Sequence, residues 1–308
     1  MRIATFNVNS LKVRLERVTA WLAAARPDVL CLQETKMADS AFPAERFAEL
    51  GYEAAHHGDG RWNGVALLSR VGLVGVQAGM DGPADAAGCR LLAATCGGVR
   101  VHSVYVPNGR EVGSPYFDEK LQWLEALRDL LDRTCGSGDA VAVCGDFNVA
   151  PDDRDVWDPS ALVGATHVTV EERRALAHVQ AWGLSDALRL HYPQAGLFSW
   201  WDYRGGAFHR RRGMRIDLVL LSEGLADRCT WALVDRNERR GAQPSDHVPV
   251  LADVADAGRR SDEAGVREVV RRTDPADGSA AAAGAGAGAA GGGAAAAAAA
   301  GAGGAGGP

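Results

Sequence analysis

Six short motifs near the ends of predicted strands carry side chains that could do chemistry. They are residues 6–9 (FNVN), 32–36 (LQETK), 105–108 (YVPN), 145–148 (GDFN), 215–218 (RIDL) and 245–247 (SDH). Carboxylate and amide oxygens are the ligands that Mg²⁺ and Mn²⁺ prefer, and a carboxylate–histidine pair can hold or move a proton. Taken together, the motifs predict an enzyme that hydrolyses phosphodiesters with the help of a metal ion.

Two of the carboxylates directly follow apolar runs. Glu34 comes after residues 28–33, and Asp146 comes after residues 140–145, so each side chain is expected at the mouth of a strand. Asn148 follows Asp146 by two residues and could orient a water molecule or a phosphate oxygen. Taken singly, Glu34 is equally well interpreted as a surface residue, and Asp146 as part of an ordinary turn.

A third carboxylate, Asp217, lies inside an otherwise apolar predicted strand. A buried carboxylate without a partner is costly, so we expect Asp217 to be paired. The candidate partner is His247, at the start of the last predicted strand, and the alternative is Arg215. Asp246 places a further acid directly beside the histidine.

Aromatic, amide and basic side chains complete the set of candidate residues. Tyr105 is either a core residue or a phenol that the turn before Asn108 presents at the sheet edge. Residues 198–215 interleave aromatic and basic side chains, and Trp200 and Trp201 are adjacent. This mixture favours a polyphosphate chain with unstacked bases or sugars over a merely solvated loop.

Predicted strands and helices alternate over residues 1–254. Short runs rich in β-branched residues predict strands at 3–8, 29–33, 64–68, 99–106, 140–145, 216–221 and 248–254. Apolar periodicity predicts helices over 10–25, with Ser10 as its cap, and over 117–135, and a capping box at Thr169 begins a third helix that reaches about residue 182. The pattern favours an α/β fold with sheets inside and helices outside, in a single domain.

Composition constrains the partners only weakly. The chain has 308 residues, of which 47% are hydrophobic, and its net charge of −6 does not indicate a nucleic-acid partner. A metal site concentrates acid and a substrate groove concentrates base, so the total can conceal both. Cys31, Cys96 and Cys144 lie in apolar strands and are predicted to be buried thiols, which suits a reducing compartment. With no signal peptide or apolar membrane span recognised, we expect a cytoplasmic protein without a membrane partner.

Beyond residue 254 the composition changes. A charge-mixed stretch at 255–277 is followed by an almost pure Ala/Gly segment at 278–308. Frequent glycines oppose helix formation, and these side chains cannot build a core. We predict a disordered tail over residues 255–308 and a catalytic domain over 1–254.

The motifs resemble the exonuclease III family of apurinic/apyrimidinic endonucleases, which belongs to the wider endonuclease/exonuclease/phosphatase superfamily. The resemblance is carried, in order, by residues 6–9, 32–36, 145–148, 198–202 (FSWWD), 215–218 and 245–247. It extends over residues 1–254. The resemblance implies a four-layer α/β sandwich, with two mixed sheets packed face to face, helices outside, and the active site at one edge.

The resemblance also implies roles for individual residues. The implied metal ligands, for Mg²⁺ or alternatively Mn²⁺, are Asn7, Glu34, Asp146, Asn148, Asp246 and His247. The implied catalytic residues are Tyr105, Asn108, Asp146, Asn148, Asp217 and His247. Asp146 would orient or activate the attacking water, and His247, oriented by Asp217, would stabilise the charge on phosphorus. The implied substrate-binding residues are Asn9, Trp200, Trp201, Arg204, Arg211, Met214 and Arg215.

The sequence departs from the family pattern at three places. The usual Asp-[Ser/Thr]-[Phe/Tyr]-Arg block is Asp-Ala-Leu-Arg at 186–189, and Arg211 replaces the usual asparagine. Met214 replaces a bulkier aromatic residue in the pocket that, by resemblance, Trp200 and Ile216 form for a base-less sugar. These departures affect the expected groove and pocket and leave the implied ligands in place.

The implied activity is Mg²⁺-dependent cleavage of DNA on the 5′ side of abasic sites, with 3′–5′ exonuclease and 3′-phosphatase activities. The expected partner is double-stranded DNA with abasic sites or blocked 3′ ends, bound by a monomer. Two alternatives remain at this stage. One is a phosphoinositide or sphingomyelin phosphodiesterase of the same fold, and the other is an inactive DNA-binding scaffold.

Overall fold

A computed structural model of the chain describes residues 1–80, 82 and 88–256. Its strands are β1 (Arg2–Asn7), β2 (Val29–Gln33), β3 (Glu53–His57), β4 (Val65–Ser69), β5 (Val74–Ala78), β6 (Leu91–Cys96), β7 (Val99–Tyr105), β8 (Val141–Asp146), β9 (Leu184–Asp186), β10 (Asp217–Ser222), β11 (Cys229–Val234) and β12 (Val250–Val254). Its helices are α1 (Leu11–Ala25), α2 (Ala44–Ala48), α3 (Pro115–Thr134), α4 (Val170–Gln180), α5 (Ala187–His191) and α6 (Glu223–Ala226).

The strands form two mixed sheets of six strands each. The first has the order β11-β12-β1-β2-β4-β3, and the second has the order β5-β6-β7-β8-β10-β9. In each sheet the central pair, β1 with β2 and β7 with β8, is parallel, and the neighbouring pairs are antiparallel. The carboxyl ends of these parallel pairs carry the motifs at Asn7, Gln33, Tyr105 and Asp146.

The sheets pack face to face and helices cover their outer faces. Side chains alternate along β1: Ile3 packs between the sheets, whereas Ala4 and Phe6 pack under α1 and α2. A second apolar cluster, which includes Trp123 and Leu127 of α3, joins α3 and α4 to the outer face of the other sheet. The predicted four-layer α/β sandwich is therefore confirmed.

The predicted helices are present, although one capping prediction is wrong. Ser10 precedes α1, but its side chain makes no capping hydrogen bond, because its backbone has a positive φ of 89°. The helix predicted at 117–135 begins two residues earlier, at Pro115, where the Ser114 hydroxyl accepts a hydrogen bond from the Phe117 amide. The capping box of α4, between Thr169 and Glu172, forms as expected.

All seven predicted strands are present within two residues of their expected ends, and five others were not anticipated. β3, β5, β6, β9 and β11 were not predicted. The sequence of β3, EAAHH, has no β-branched residue, and β5 lies at a sheet edge with most of its side chains exposed. Such strands are stabilised by pairing with a neighbour, which the local sequence does not reveal.

Three predictions concern the end of the domain, the tail and the membrane, and the described residues address them only in part. Strand β12 ends at Val254, the predicted end of the catalytic domain. Apart from residues 255 and 256, the predicted tail lies outside the described residues. Among the residues that the structure describes, no helix is both long and apolar enough to cross a membrane.

Candidate active site

Strand directions bring the motifs to one edge of the sandwich. Because β10 is antiparallel to β8, Asp217 at its start lies opposite Asp146 at the end of β8. Strand β12 is likewise antiparallel to β1, so the chain entering β12 passes the end of β1. There the Ser245 hydroxyl donates to the carbonyl oxygen of Asn7 over 2.8 Å. The motifs that follow β1 and β8 therefore lie at the same edge of the sandwich as the motifs that precede β10 and β12.

Glu34, Asp146 and His247 form the centre of the site. One potential ligand atom from each side chain lies within 4.8 Å of the others. His247 Nε2 is 3.8 Å from Asp146 Oδ2, and both residues are buried. A metal ion could be held where three or more acidic, histidine or cysteine side chains converge. Among the residues that the structure describes, these three are the group that does so.

Asn7 links the two carboxylates of this centre. Its Nδ2 donates to Glu34 Oε1 over 2.8 Å and to Asp146 Oδ2 over 2.9 Å. Its Oδ1 accepts the backbone amide of Asn9 at 3.0 Å. The residue thus lies at the centre as a donor between two acids, and its role as an oxygen ligand stays a prediction. Glu34 Oε2 also pairs with Lys36 Nζ at 2.9 Å.

His247 is oriented from behind by a buried acid. Its Nδ1 lies 2.9 Å from Asp217 Oδ2, which confirms the predicted pairing of these two residues. The same carboxylate oxygen accepts the Ser199 hydroxyl at 2.7 Å. The oxygen of that hydroxyl accepts the amides of Ile216 and Asp217, each at 3.1 Å. With Nδ1 occupied, the ring directs Nε2 towards Asp146.

Tyr105, Asn108 and Asn148 line the same edge on the second sheet. Asn148 has a left-handed φ of 49° and donates its Nδ2 to the Val106 carbonyl at 2.9 Å. Its Oδ1 accepts Asn108 Nδ2 at 3.3 Å, and its backbone amide donates to Asp146 Oδ1 at 2.9 Å. These bonds fix the two asparagines relative to Asp146. The expected metal contact of Asn148 stays a prediction.

Burial and crowded charge alter the acid–base properties of the site. Burial raises the pKa of Asp146 to about 7, an effect that His247 opposes and that Asp217 and Glu34 reinforce. Burial lowers the pKa of His247, but Asp217 and Asp146 outweigh it and raise that pKa to about 10. The pKa of Tyr105 is raised well above its usual value by burial and by Glu34. At neutral pH the phenol therefore stays protonated and the imidazole stays charged.

The donors present suit a divalent cation. Two carboxylates, Glu34 and Asp146, whose mutual repulsion contributes to the raised pKa of Asp146, converge beside the Asn7 amide, and the charged His247 ring lies next to them. A cation bound among them would relieve that repulsion, and hard carboxylate oxygens favour Mg²⁺ or Mn²⁺ over softer metals. The residues therefore fit a metal centre of the kind predicted.

Asp246 connects two predicted residues, Asn9 and Trp200, beside this centre. Its Oδ1 accepts Asn9 Nδ2 at 3.0 Å, and its Oδ2 accepts Trp200 Nε1 at 3.1 Å. Trp200 also exchanges two backbone hydrogen bonds with Met214, of 2.9 and 3.0 Å. Met214 is itself mostly buried, so the indole of Trp200 forms the more accessible part of this wall.

The structure contradicts two of the predicted substrate contacts. Arg215 is fully buried, where its guanidinium pairs with Asp155 at 2.6 Å and with Asp186 at 2.7 Å, so it cannot reach DNA. The alternative pairing of Arg215 with Asp217 is also excluded by these contacts. Trp201 is only 1% exposed and packs edge-on against Phe208 with ring centres 5.1 Å apart. Both residues stabilise the fold beneath the site.

The other predicted basic contacts are exposed. Arg204 pairs with Asp202 at 2.9 Å, and Arg211 has a left-handed φ of 57° in the loop between Trp201 and Met214. Their contact with substrate stays a prediction. The block at residues 186–189 departs from the family pattern in its two middle residues. Its charged end residues both form ion pairs, Asp186 with Arg215 and Arg189 with Asp155.

Sequence reasoning missed one buried cation at the site. Lys120 is fully buried, and its Nζ donates to the carbonyl oxygens of Asn148 at 2.6 Å and Asn108 at 3.2 Å. Glu172 neutralises it. Lys120 lies three residues after Phe117 and four before Leu124, both buried. A lysine on the apolar face of a predicted helix could therefore have indicated a buried cation. The Ser199 hydroxyl, which hydrogen-bonds to Asp217, was also missed, and no sequence pattern pointed to it.

Comparison with known proteins agrees with this geometry. The model of the Endonuclease/Exonuclease/phosphatase family matches residues 4–247. Exodeoxyribonuclease III of Haemophilus influenzae is 32% identical over 268 residues, which cover 82% of this chain and 99% of that protein. A solved AP endonuclease from Archaeoglobus fulgidus has a TM-score of 0.81 at 37% identity, with 83% of this chain and 100% of that chain covered.

NExo from Neisseria is also similar. Its structure as a 3′ phosphatase bound to a product DNA hairpin has a TM-score of 0.79 at 38% identity, with 83% of this chain and 100% of that chain covered. A second structure, from Neisseria meningitidis, describes NExo as a 3′–5′ exonuclease and has a TM-score of 0.80. With these matches, the chain belongs to the Endonuclease/Exonuclease/phosphatase family and is a DNA repair nuclease of the exonuclease III type.

Proposed function

We propose that this nuclease cleaves duplex DNA on the 5′ side of abasic sites, with Mg²⁺ as its metal, and that it also acts on 3′ ends. The observation that carries the proposal is the convergence of Glu34, Asp146 and His247, with Asp217 behind the histidine. The range of activities is supported by the relatives, which are described as an AP endonuclease, a 3′ phosphatase and a 3′–5′ exonuclease.

Glu34, Asn7 and Asp146 would hold the metal ion, with Glu34 as the principal ligand. When bound, the ion would neutralise charge on the scissile phosphate as a Lewis acid. Glu34 is suited to this role because its two oxygens already face a cation and an amide donor, at Lys36 and Asn7. Asp246 would support the site indirectly, through its hydrogen bonds to Asn9 and Trp200.

The side chains of the site would act on the phosphate from several directions. Asp146 would orient the attacking water and accept its proton, a role that its burial beside His247 and its hydrogen bond from Asn7 position it to fill. Tyr105, Asn108 and Asn148 would donate hydrogen bonds to the phosphate oxygens. His247, charged at neutral pH, would stabilise the charge that builds on phosphorus. The new bond joins water oxygen to phosphorus and the bond from phosphorus to O3′ breaks. O3′ takes a proton from solvent to become the 3′-hydroxyl, and the phosphate remains on the 5′ side of the abasic sugar.

Selection of the abasic sugar would depend on the wall formed by Trp200 and Met214. Turning an abasic sugar out of the helix requires no base pair to be broken, so its cost is low. Arg204 and Arg211, both exposed, would contact the DNA backbone near this wall. The same pocket would accept the last sugar of a 3′ end, which is how one site could serve all three reactions.

A substrate panel tests the proposal. The full chain is assayed on duplexes that carry a tetrahydrofuran site, a 3′-phosphate or an undamaged recessed 3′ end, with Mg²⁺ and with a chelator. We expect Mg²⁺-dependent nicking at the tetrahydrofuran, with loss of activity in the chelator and recovery on re-addition of Mg²⁺. Hydrolysis of sphingomyelin or phosphoinositides in place of DNA, or no hydrolysis of any substrate, would contradict the proposal.

A further inference from the structure

The turn that presents Glu34 has a strained backbone. Glu34 and Lys36 both adopt left-handed conformations, with φ of 51° and 52°. Residues other than glycine adopt this conformation only where the surroundings enforce it, and such strain is concentrated at functional sites. Thr35, which lies between them, is fully buried. The turn therefore needs a restraint at Thr35.

Part of that restraint comes from the backbone. The Thr35 amide donates to the Gly64 carbonyl at 3.1 Å, and the Lys36 amide donates to the Asn63 carbonyl at 2.9 Å. The two residues that precede β4 therefore fix one side of the turn. A side chain at Gly64 would place its Cβ only 2.1 Å from Thr35 Oγ1, so the threonine hydroxyl is closely packed against this backbone. The amides of Ser10 and Leu11 also donate to the carbonyls of Glu34 and Thr35, at 2.7 and 3.0 Å.

A further restraint is a chain of side-chain hydrogen bonds. Thr35 Oγ1 lies 2.8 Å from His56 Nε2, and His56 Nδ1 lies 2.8 Å from Asp39 Oδ1. Asp39 Oδ1 also accepts the amide of Gly58 at 2.7 Å. The His56 side chain is 4% exposed, and its ring stacks on Phe42 with centres 4.3 Å apart. The imidazole is thus held at both nitrogens and on one face.

The direction of these hydrogen bonds follows from the partners. The Asp39 carboxylate accepts a hydrogen bond from the Nδ1–H, which leaves Nε2 of a neutral ring to accept one from the Thr35 hydroxyl. Burial lowers the pKa of His56, although Asp39 opposes the effect, and this favours the neutral ring at physiological pH. The tautomer and the hydroxyl orientation are therefore both determined by Asp39.

We propose that Thr35, His56 and Asp39 are positioning residues that hold Glu34 in the orientation required to bind the divalent cation. The proposal rests on the metal centre of the proposed function and extends it to residues that do not touch the metal. Without the hydroxyl–imidazole bond, the turn would relax from its left-handed conformation and Glu34 would move away from Asp146 and Asn7. Residues outside the ligand set that orient a metal ligand commonly contribute about 10- to 100-fold to metal affinity.

The test measures metal affinity without DNA, by electron paramagnetic resonance of Mn²⁺ added to the full chain. Thr35→Val removes the hydroxyl and keeps the side-chain shape, and His56→Leu removes both ring nitrogens. Both variants should raise the Mn²⁺ dissociation constant about 10- to 100-fold. Thr35→Ser, which restores a hydroxyl, should recover affinity to within about threefold of the native value, as the hydrogen bond is kept.

A matched control comes from the adjacent residue of the same strand. His57 follows His56 in β3, so its side chain points to the opposite face of the sheet. His57→Leu should bind Mn²⁺ like the native chain. Thermal unfolding in a chelator would show that each variant is folded, and Thr35→Val serves where His56→Leu fails to fold.

Each result has a defined meaning. Native affinity in folded Thr35→Val would overturn the proposal, and so would an equal loss in His57→Leu. A native chain that binds no Mn²⁺ would contradict both the metal centre and the positioning role. A native chain that binds Mn²⁺ but cuts no DNA would contradict the proposed function alone, and the variants would still decide the positioning role.

Discussion

Oδ2 of Asp217 lies 2.9 Å from Nδ1 of His247, and both side chains are buried. The same oxygen accepts the hydroxyl of Ser199, whereas Oδ1 has no hydrogen-bond partner among the residues that the structure describes. One carboxylate oxygen therefore holds the imidazole, and the Ser199 hydroxyl holds the carboxylate. The arrangement fixes both the charge of His247 and the direction of its free nitrogen.

Replacing Asp217 with asparagine should slow catalysis and lower the pKa of His247. Burial lowers the pKa of His247, and Asp217 is the largest of the charges that raise it, so this pKa should fall in Asp217→Asn. We expect kcat to fall about 100- to 1,000-fold, the range for loss of one positioned group that stabilises charge in the transition state. Steady-state kinetics and NMR titration of the imidazole would measure both effects. Glu223→Gln, beyond the other end of β10, should leave both unchanged.

Lys120 should contribute strongly to stability through its buried ion pair with Glu172. Lys120→Met leaves the buried Glu172 carboxylate without its cation and should lower the free energy of unfolding by about 3–5 kcal/mol. Adding Glu172→Gln removes the uncompensated charge, so the double variant should be more stable than the sum of single effects predicts. Urea unfolding of all four proteins gives the coupling. Strictly additive effects would show that the pair is not coupled.

Exposed and buried arginines should differ in their effect on DNA binding. Arg204→Gln removes an exposed cation and should reduce the slope of log affinity against log salt by about one. Arg215→Met should leave that slope unchanged, because Arg215 is buried between Asp155 and Asp186, but should destabilise the fold by about 3 kcal/mol or more. Fluorescence anisotropy with abasic duplex in chelator measures the slopes. An unchanged slope in Arg204→Gln would remove this residue from the DNA interface.

His102 should make the protein less stable in acid. Burial lowers the pKa of His102 to about 3, below its usual value of 6.5. Above pH 6.5 the ring is neutral in both folded and unfolded chains; below it only the unfolded chain takes up the proton. This single group should therefore reduce stability by up to about 1.4 kcal/mol per pH unit between about pH 6.5 and 3. Urea unfolding from pH 7 to 5 should show a shallower loss in His102→Leu, and an identical slope would contradict the assignment.

The strands that could be predicted from the sequence are those that are buried along most of their length, because burial requires a continuous run of apolar residues. β1, β2, β8 and β10 are buried along nearly their whole length, so their apolar runs are continuous. The pairing of Asp217 with His247 was also predictable, because a carboxylate inside an apolar strand requires a partner. These features depend on short stretches of sequence and on the cost of burying charge.

The features that were not predictable depend on contacts between distant residues. Arg215 was expected to bind DNA because it lies in a basic stretch, yet its partners Asp155 and Asp186 are 60 and 29 residues away in the chain. Trp201 was expected beside Trp200 at the substrate, but neighbouring residues of an extended segment point in opposite directions. Asp39 and His56 likewise meet only because β3 and the turn after β2 fold together.

The most direct test of the metal-centred active site is the single-turnover rate of nicking at one tetrahydrofuran site, with Mg²⁺, in Glu34→Gln and Asp146→Asn. Each variant should be slower than the native chain by about a thousandfold or more, which corresponds to several kcal/mol of activation free energy. Glu53→Gln, an exposed change in β3, should keep the native rate. A native rate in folded Glu34→Gln would show that Glu34, Asp146 and His247 are not the catalytic centre.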